Sequence, residues 1–293
     1  MPDVRPRRSV LYVPGANARA LAKAGTLPAD GLILDLEDAV APSAKEAARA
    51  QVVAALAAGP AAPERLVRVN GLATPWGARD LAAVAAAGAD GVCLPKVERP
   101  EEVVAAERAL AAAGAPPGLA LWCMIETPRG VLAAAEIAAA SPRLAGLVAG
   151  TSDLAKDLGA RPTAGRAEVL TSLGLLLLAA RARGLAALDG VHLALDDGAG
   201  LEAACRQGRD LGFDGKTLIH PDQIAAANRA FAPSAAELAV ARRIIEAHAE
   251  AEAAGRGVTV VDGRLVEALH VEAARRLVAL AEAISARGAG GQR

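Results

Sequence analysis

Aromatic side chains make up only 2% of this 293-residue chain. Any core must therefore be filled by Ala–Leu helices and Val–Leu–Ile strands, for which the 53% hydrophobic content is ample. Cysteine is scarce too. Cys93, Cys123 and Cys205 are odd in number and far apart, which fits a reduced, cytoplasmic interior better than a disulfide framework. Cys93 and Cys123 fall in strand-like runs, where core packing is the expected role. Neither sign of charge is in excess, with 32 Lys+Arg against 33 Asp+Glu. A clustered basic excess of the kind that marks nucleic-acid binding is missing. The start, MPDVRPRRSV, carries no apolar stretch of signal-peptide length. The longest apolar stretches, such as LTSLGLLLLAA, are short and interrupted by Ser and Gly, so no membrane span is expected.

What is present is a repeated strand–helix pattern. Eight short apolar runs read as strands: 9–14, 31–36, 65–70, 91–96, 119–126, 146–150, 185–190 and 215–220. Between them lie Ala-rich stretches of helical length and period, for example RPEEVVAAERALAAAG and RGVLAAAEIAAA. Strands alternating with helices predict parallel βα units. Strands this apolar want both faces covered. The economical closure is an α/β fold of the (β/α)8 TIM-barrel type; an open doubly wound sheet is the competing architecture. The pattern changes after FAPSAAEL. A helix leads to VTVVDGRLVEA, whose Asp262-Gly263 pair between alternating runs is a hairpin signal. Another helix follows. The chain therefore reads as a barrel over 1–233 and a helix–hairpin–helix appendage over 234–293, with ARGAGGQR as a frayed tail.

A barrel of this kind collects its chemistry at the carboxyl ends of its strands. Polar groups recur there: VPGANAR after the first run, Asp35, Glu37 and Asp38 after the second, Arg68 and Asn70 on the third. Lys96 closes the fourth, Glu126 the fifth, and Asp153 follows the sixth. Asp189 closes the seventh, and Lys216 and His220 lie on the eighth. Carboxylates are costly to bury unpaired, so the acids of GLILDLEDAV are expected to face cations, and a metal, at one rim. Glu126 and Asp153 could together bind a hard divalent cation such as Mg2+, which takes one or two protein carboxylates plus waters and substrate oxygens. They could instead cap the following helices or pair with Arg68 and Lys96. No His-rich or Cys-rich spacing favours Zn2+.

The motifs RRSVLYVPGANARALAKA, DGLILDLEDAVAPSAKEAAR, RVN, LPKVE, IETPRGV, GTSDLAKDLG and FDGKTLIHPDQI occur in that order along the chain. Together they resemble the citrate lyase β-subunit-like CoA ester lyases of the HpcH/HpaI aldolase/citrate lyase group, which includes malyl-CoA and citramalyl-CoA lyases. The resemblance covers nearly the whole chain. It implies a TIM barrel, bound Mg2+, CoA thioester and small 2-oxo acid ligands, and a homotrimer or hexamer whose appendage covers a neighbour's site.

Residue by residue, the resemblance implies Glu126 and Asp153 as metal ligands. It implies Arg68 as the cation on a substrate carboxylate or thioester oxygen. Glu37 and Asp38 would hold metal-bound waters or Arg68 in place. Arg19, Lys23 and Lys96 would meet CoA or substrate, and His220 would anchor a loop near the CoA path. His192, His248 and His270 read as ordinary surface or helix residues. One departure stands out. The family often carries an appendage Asp that acts as acid or base in the adjacent subunit, and here Glu267, in GRLVEALHV, stands in its place. The implied reaction is Mg2+-dependent retro-Claisen cleavage of a 3-hydroxydicarboxylic acyl-CoA to an acyl-CoA and a 2-oxo acid. The alternatives are a malyl-CoA thioesterase and a citrate lyase β subunit acting on a carrier-bound thioester.

Overall fold

Eight parallel strands close on one another in chain order. The structure is a computed structural model that describes residues 4–58 and 63–290. The strands are β1 (Ser9–Pro14), β2 (Gly31–Asp35), β3 (Glu64–Arg68), β4 (Gly91–Leu94), β5 (Ala120–Ile125), β6 (Leu144–Ala149), β7 (Ala186–Asp189) and β8 (Gly215–Leu218). Pairing of β1 with β8 closes the ring, with Ser9 opposite Lys216. The expected (β/α)8 barrel is therefore present, and the open sheet is excluded. A closed ring leaves no edge strand, which is why runs with two buried faces are stable here.

Side chains alternate across each strand and build two cores. Outward-facing Leu, Val and Ala pack under the helices as one large cluster. Val10, Ile33, Leu66, Cys93, Trp122, Met124, Val148 and Leu188 fill the barrel interior, with Tyr12 packed against them. Trp122 fits only because Gly146 lies beside it: a Cβ at Gly146 would overlap the indole ring. Cys93 and Cys123 are buried, as expected for packing residues, and Cys205 is buried too. Among the described residues no helix is long and apolar enough to cross a membrane.

Two compact units are distinguished, Arg7–Phe231 and Ala232 onward, the latter together with the residues up to Pro6. Within the second, helix Ala235–Ala253 starts at a capping box in which Ser234 and Glu237 satisfy each other's amides. The hairpin lies at its expected place, β9 (Thr259–Val261) against β10 (Arg264–Val266). Asp262 and Gly263 supply the positive φ values, 50° and 74°, that a tight hairpin turn requires.

Several expectations need correction. The stretch RGVLAAAEIAAA is not one helix but two short ones, Pro128–Leu132 and Ala134–Ala138. The last helix spans Ala268–Gly290, so residues 286–290 are helical rather than frayed; Ala and Arg propagate a helix already nucleated. The final three residues of that tail lie outside the described residues. Of the two roles expected for His248, surface or helix, it takes the second: it lies in helix Ala235–Ala253 and is buried, at 6% exposure.

Candidate functional site

The acids of GLILDLEDAV fold around an arginine. Asp35, the last residue of β2, is 1% exposed and takes a bidentate clamp from Arg68 at the end of β3, with Nε–Oδ1 2.7 Å and Nη2–Oδ2 2.6 Å. The two residues are directly paired in the sheet register, so the clamp follows from strand alignment. The amides of Glu37 and Ala39 also donate to the Asp35 carboxylate, which curls the loop back over the barrel mouth. Lys45 pins the same loop from the start of helix Lys45–Ala57, its Nζ donating to the carbonyls of Leu36 and Glu37 at 2.8 and 2.7 Å. With two faces of the guanidinium on Asp35, Nη1 of Arg68 is left pointing at Glu37 Oε2 (3.1 Å) and Met124 Sδ (3.7 Å).

Lys96 joins these acids to Glu126. Its ammonium contacts Glu37, and sits 3.1 Å from Asp38 and 3.9 Å from Asp153. Its amide donates to Glu126 Oε1 at 2.7 Å. To do both, Lys96 holds φ at +50°, a conformation L-residues avoid and one that accumulates at functional sites. Burial would lower the pKa of Lys96, but Glu37 and Asp38 outweigh it and hold the ammonium firmly charged. Burial raises the Glu37 carboxyl against the pull of Arg68 and Lys96. At Asp38 burial acts in the same sense, yet hydrogen bonds with Glu37 and Lys96 prevail and hold its carboxyl low.

Glu126 stands apart from the other acids. It is 2% exposed, at the end of β5, and its one hydrogen bond among the described residues comes from the Lys96 amide. It takes part in no ion pair there. Burial therefore pushes its carboxyl up to about 7, against the Lys96 amide and the more distant charges of Arg68 and Lys96. Gly150 makes room for it: a Cβ there would overlap the Glu126 side chain. Asp153 lies in the first turn of helix Thr151–Asp157, within reach of Lys156 at 3.3 Å.

Glu126, Asp153, Asp35, Asp38 and Arg68 line one cavity of about 380 Å3, together with Tyr12, Met124, Gly150, Thr151, Ser152 and Thr217. Four carboxylates thus face one guanidinium. No trio of His, Cys, Asp and Glu among the described residues forms a ready-made metal cluster. A buried carboxylate without a counter-cation, beside a second carboxylate on the same cavity, does suit a hard cation that keeps most of its waters, as Mg2+ does. No His or Cys among the described residues lines the cavity, so its donor set is oxygen-rich and favours a hard cation over Zn2+.

The residues expected from the sequence separate into three groups. Arg68, Glu37, Asp38, Lys96, Glu126 and Asp153 converge at the mouth. Arg19 and Lys23 lie exposed on helix Ala18–Ala24 and do not line the cavity. His220 caps the turn Pro221–Gln223 through Nδ1 and does not line it either. Glu267 belongs to the second unit, exposed between β10 and helix Ala268–Gly290, where its amide donates to His270 Nδ1 at 3.1 Å. The clamp role of Asp35 and the presence of Tyr12 and Met124 on the cavity wall were not read from the sequence. Tyr12 is the chain's one tyrosine, placed at an inward position of β1, and that signal could have found it.

Comparison with known proteins fits this geometry. The HpcH/HpaI aldolase/citrate lyase family model matches residues 8–221. A (3S)-malyl-CoA thioesterase of Cereibacter sphaeroides is 53% identical over 97% of this chain and 98% of its own length. The citrate lyase subunit beta of Escherichia coli is 39% identical over 95% of this chain and 94% of its own. The crystal structure of CitE from Mycobacterium tuberculosis in complex with magnesium, acetoacetate and coenzyme A superposes with a TM-score of 0.76. It is 34% identical and covers 95% of this chain and 100% of that one.

Proposed function

The chain is an enzyme of the HpcH/HpaI aldolase/citrate lyase family, and from that premise we propose that it is a Mg2+-dependent CoA ester lyase acting on a 3-hydroxydicarboxylic acyl-CoA such as malyl-CoA or citramalyl-CoA. One observation carries this reading: the buried Glu126 carboxylate has no cationic partner among the described residues and shares its cavity with Asp153 and the clamped Arg68. Glu126 and Asp153 would hold the metal. Bound there, Mg2+ supplies Lewis acidity and a template for oxygen ligands.

The chain's own residues would do the rest. Arg68, fixed by Asp35, offers Nη1 to an oxygen that gains negative charge. Glu37 and Asp38 hold Lys96 charged, and its amide aims Glu126. In the proposed reaction a base takes the substrate's hydroxyl proton and the C–C bond breaks. The 2-oxo acid departs, and the acyl-CoA enolate is protonated at carbon. Glu267, contributed by a neighbouring copy in a homo-oligomer, is the candidate for that proton exchange. Arg19, Lys23 and His220 are assigned to the CoA arm.

A second reading is supported by the relatives at 52–53% identity that carry the name (3S)-malyl-CoA thioesterase. On that reading the net products are malate and free CoA. One assay separates the two. Purified protein with Mg2+ is given malyl-CoA and citramalyl-CoA while 2-oxo acid, free thiol and thioester absorbance are followed separately. Oxo acid released with the thioester intact supports the lyase. Free thiol without oxo acid makes the chain a thioesterase. Turnover of neither leaves only a carrier-bound thioester, as for a citrate lyase β subunit, and overturns the CoA-ester reading.

A further inference from the structure

Two good hydrogen-bond donors converge on one poor acceptor inside this cavity. Tyr12 Oη donates to Met124 Sδ at 3.6 Å, and Arg68 Nη1 donates to the same sulfur at 3.7 Å. A thioether sulfur is a weak acceptor, so the Tyr12 hydroxyl is poorly used, while Arg68 Nη1 divides between this sulfur and Glu37 Oε2 at 3.1 Å. Everything else around them is fixed. The guanidinium is clamped on Asp35 and stacked over the Tyr12 ring, 4.9 Å from its centroid. The Tyr12 ring packs against the barrel-interior cluster. Three strands, β1, β3 and β5, thus deliver a hydroxyl, a guanidinium N–H and a soft sulfur to one spot on the cavity wall that also carries Glu126. A held hydroxyl whose one hydrogen bond among the described residues goes to a sulfur, beside a guanidinium N–H shared between Glu37 Oε2 and that sulfur, is the arrangement expected where charge develops on a substrate oxygen.

We propose that the Tyr12 hydroxyl is a second oxyanion donor, paired with Arg68 Nη1, for the thioester oxygen of the substrate. The inference rests on the CoA-ester reading above and adds a residue to it. In C–C cleavage the electron pair of the broken bond flows to the thioester oxygen, making the enolate. In hydrolysis the attacking water's oxygen makes the same oxygen a tetrahedral alkoxide. Either way Tyr12 keeps its proton, and its hydrogen bond strengthens as the oxygen gains charge. The hydroxyl would shift from Met124 Sδ to that oxygen, with the ring staying under Arg68.

The test uses the full-length protein with Mg2+ and malyl-CoA, comparing wild type, Tyr12→Phe and Tyr12→Leu. Phenylalanine keeps the ring beneath Arg68 and deletes only the donor. The expected result is a kcat for Tyr12→Phe lower by about 10²-fold, with KM changed little and the melting temperature near that of wild type. A purely structural role for the ring predicts otherwise: Tyr12→Phe would match wild type and only Tyr12→Leu would lose activity. That result overturns the proposal and leaves the CoA-ester reading standing. A rise in KM with kcat unchanged also overturns it, because the hydroxyl would then bind the ground state alone. No turnover by wild type of either CoA ester overturns the functional reading, and this inference with it.

Discussion

At the lower rim, where the strands begin, acids are matched to their own arginines. Glu64 takes Arg7 Nε and Nη2 at 2.6 and 2.9 Å, and Asp30 takes Arg8 Nε and Nη2 at 2.7 and 2.9 Å. The Arg7 guanidinium also lies over Trp122, 5.0 Å from the ring centroid, at the bottom of the barrel interior. At the upper rim four carboxylates line a cavity beside one guanidinium, and Glu126 has no cationic partner among the described residues. The same residue types serve both ends. Where each acid is matched by a cation, the pairs stabilise the fold. Where acids outnumber cations and burial raises a carboxyl, the protein keeps an unmet demand for positive charge, which is the mark of a working site. Losses at the two rims should therefore differ in kind.

The largest effect should come from the upper rim as a whole. Dialysis against EDTA is expected to abolish turnover of malyl-CoA, and added Mg2+ to restore it, while the circular dichroism spectrum stays native. Activity that survives complete chelation would break the comparison at its centre. The lower rim should show the reverse. Asp30→Ala strands the Arg8 guanidinium and should destabilise the protein by about 3–5 kcal/mol in urea unfolding. Its Mg2+ affinity should match wild type. A variant that loses metal binding but not stability would contradict the division between the rims.

A smaller change sharpens it. Gly150→Ala places a methyl group against the Glu126 side chain. The displaced carboxylate should lower kcat/KM by about 10²-fold, read in the same assay, and the overpacked contact should cost about 1–3 kcal/mol in unfolding. The smallest effect concerns groups that burial silences. Burial pushes the Cys93 and Cys123 thiols well up, and Cys205 up to about 11. At pH 8 in native buffer the three thiols should not react with a disulfide reagent, and all three should react in denaturant. Rapid labelling of the native protein would show that the barrel opens more readily than this packing implies.

Much of this was legible in the sequence because it is local. Most barrel strands are apolar runs with a polar residue at, or within a few positions after, their carboxyl end, so strand positions and the rim that carries the chemistry could both be read from GLILDLEDAV, RVN or IETP. The hairpin was equally local, since Asp262-Gly263 encodes its turn. What escaped depends on closure. Tyr12, Arg68 and Met124 lie on β1, β3 and β5, which are not sheet neighbours, and only the ring brings their tips together across its interior. Nor does any spacing reveal that Asp35 would be consumed by the Arg68 clamp while Glu126 would be left without a cation. The break at Ala133 between two short helices was hidden because Ala-rich stretches look alike whether or not a turn interrupts them.

The central claim is that Glu126 is kept uncompensated in order to hold a divalent cation. Isothermal titration of Mg2+ into wild type and Glu126→Gln, with melting temperatures of both metal-free proteins, tests it most directly. The account predicts one Mg2+ site in wild type and none detectable in Glu126→Gln, with the variant melting no lower than wild type because a buried unpaired carboxylate has been replaced by a neutral amide. Equal Mg2+ binding by the two proteins, or a variant that binds normally but melts much lower, would contradict it and make Glu126 a structural residue of the barrel.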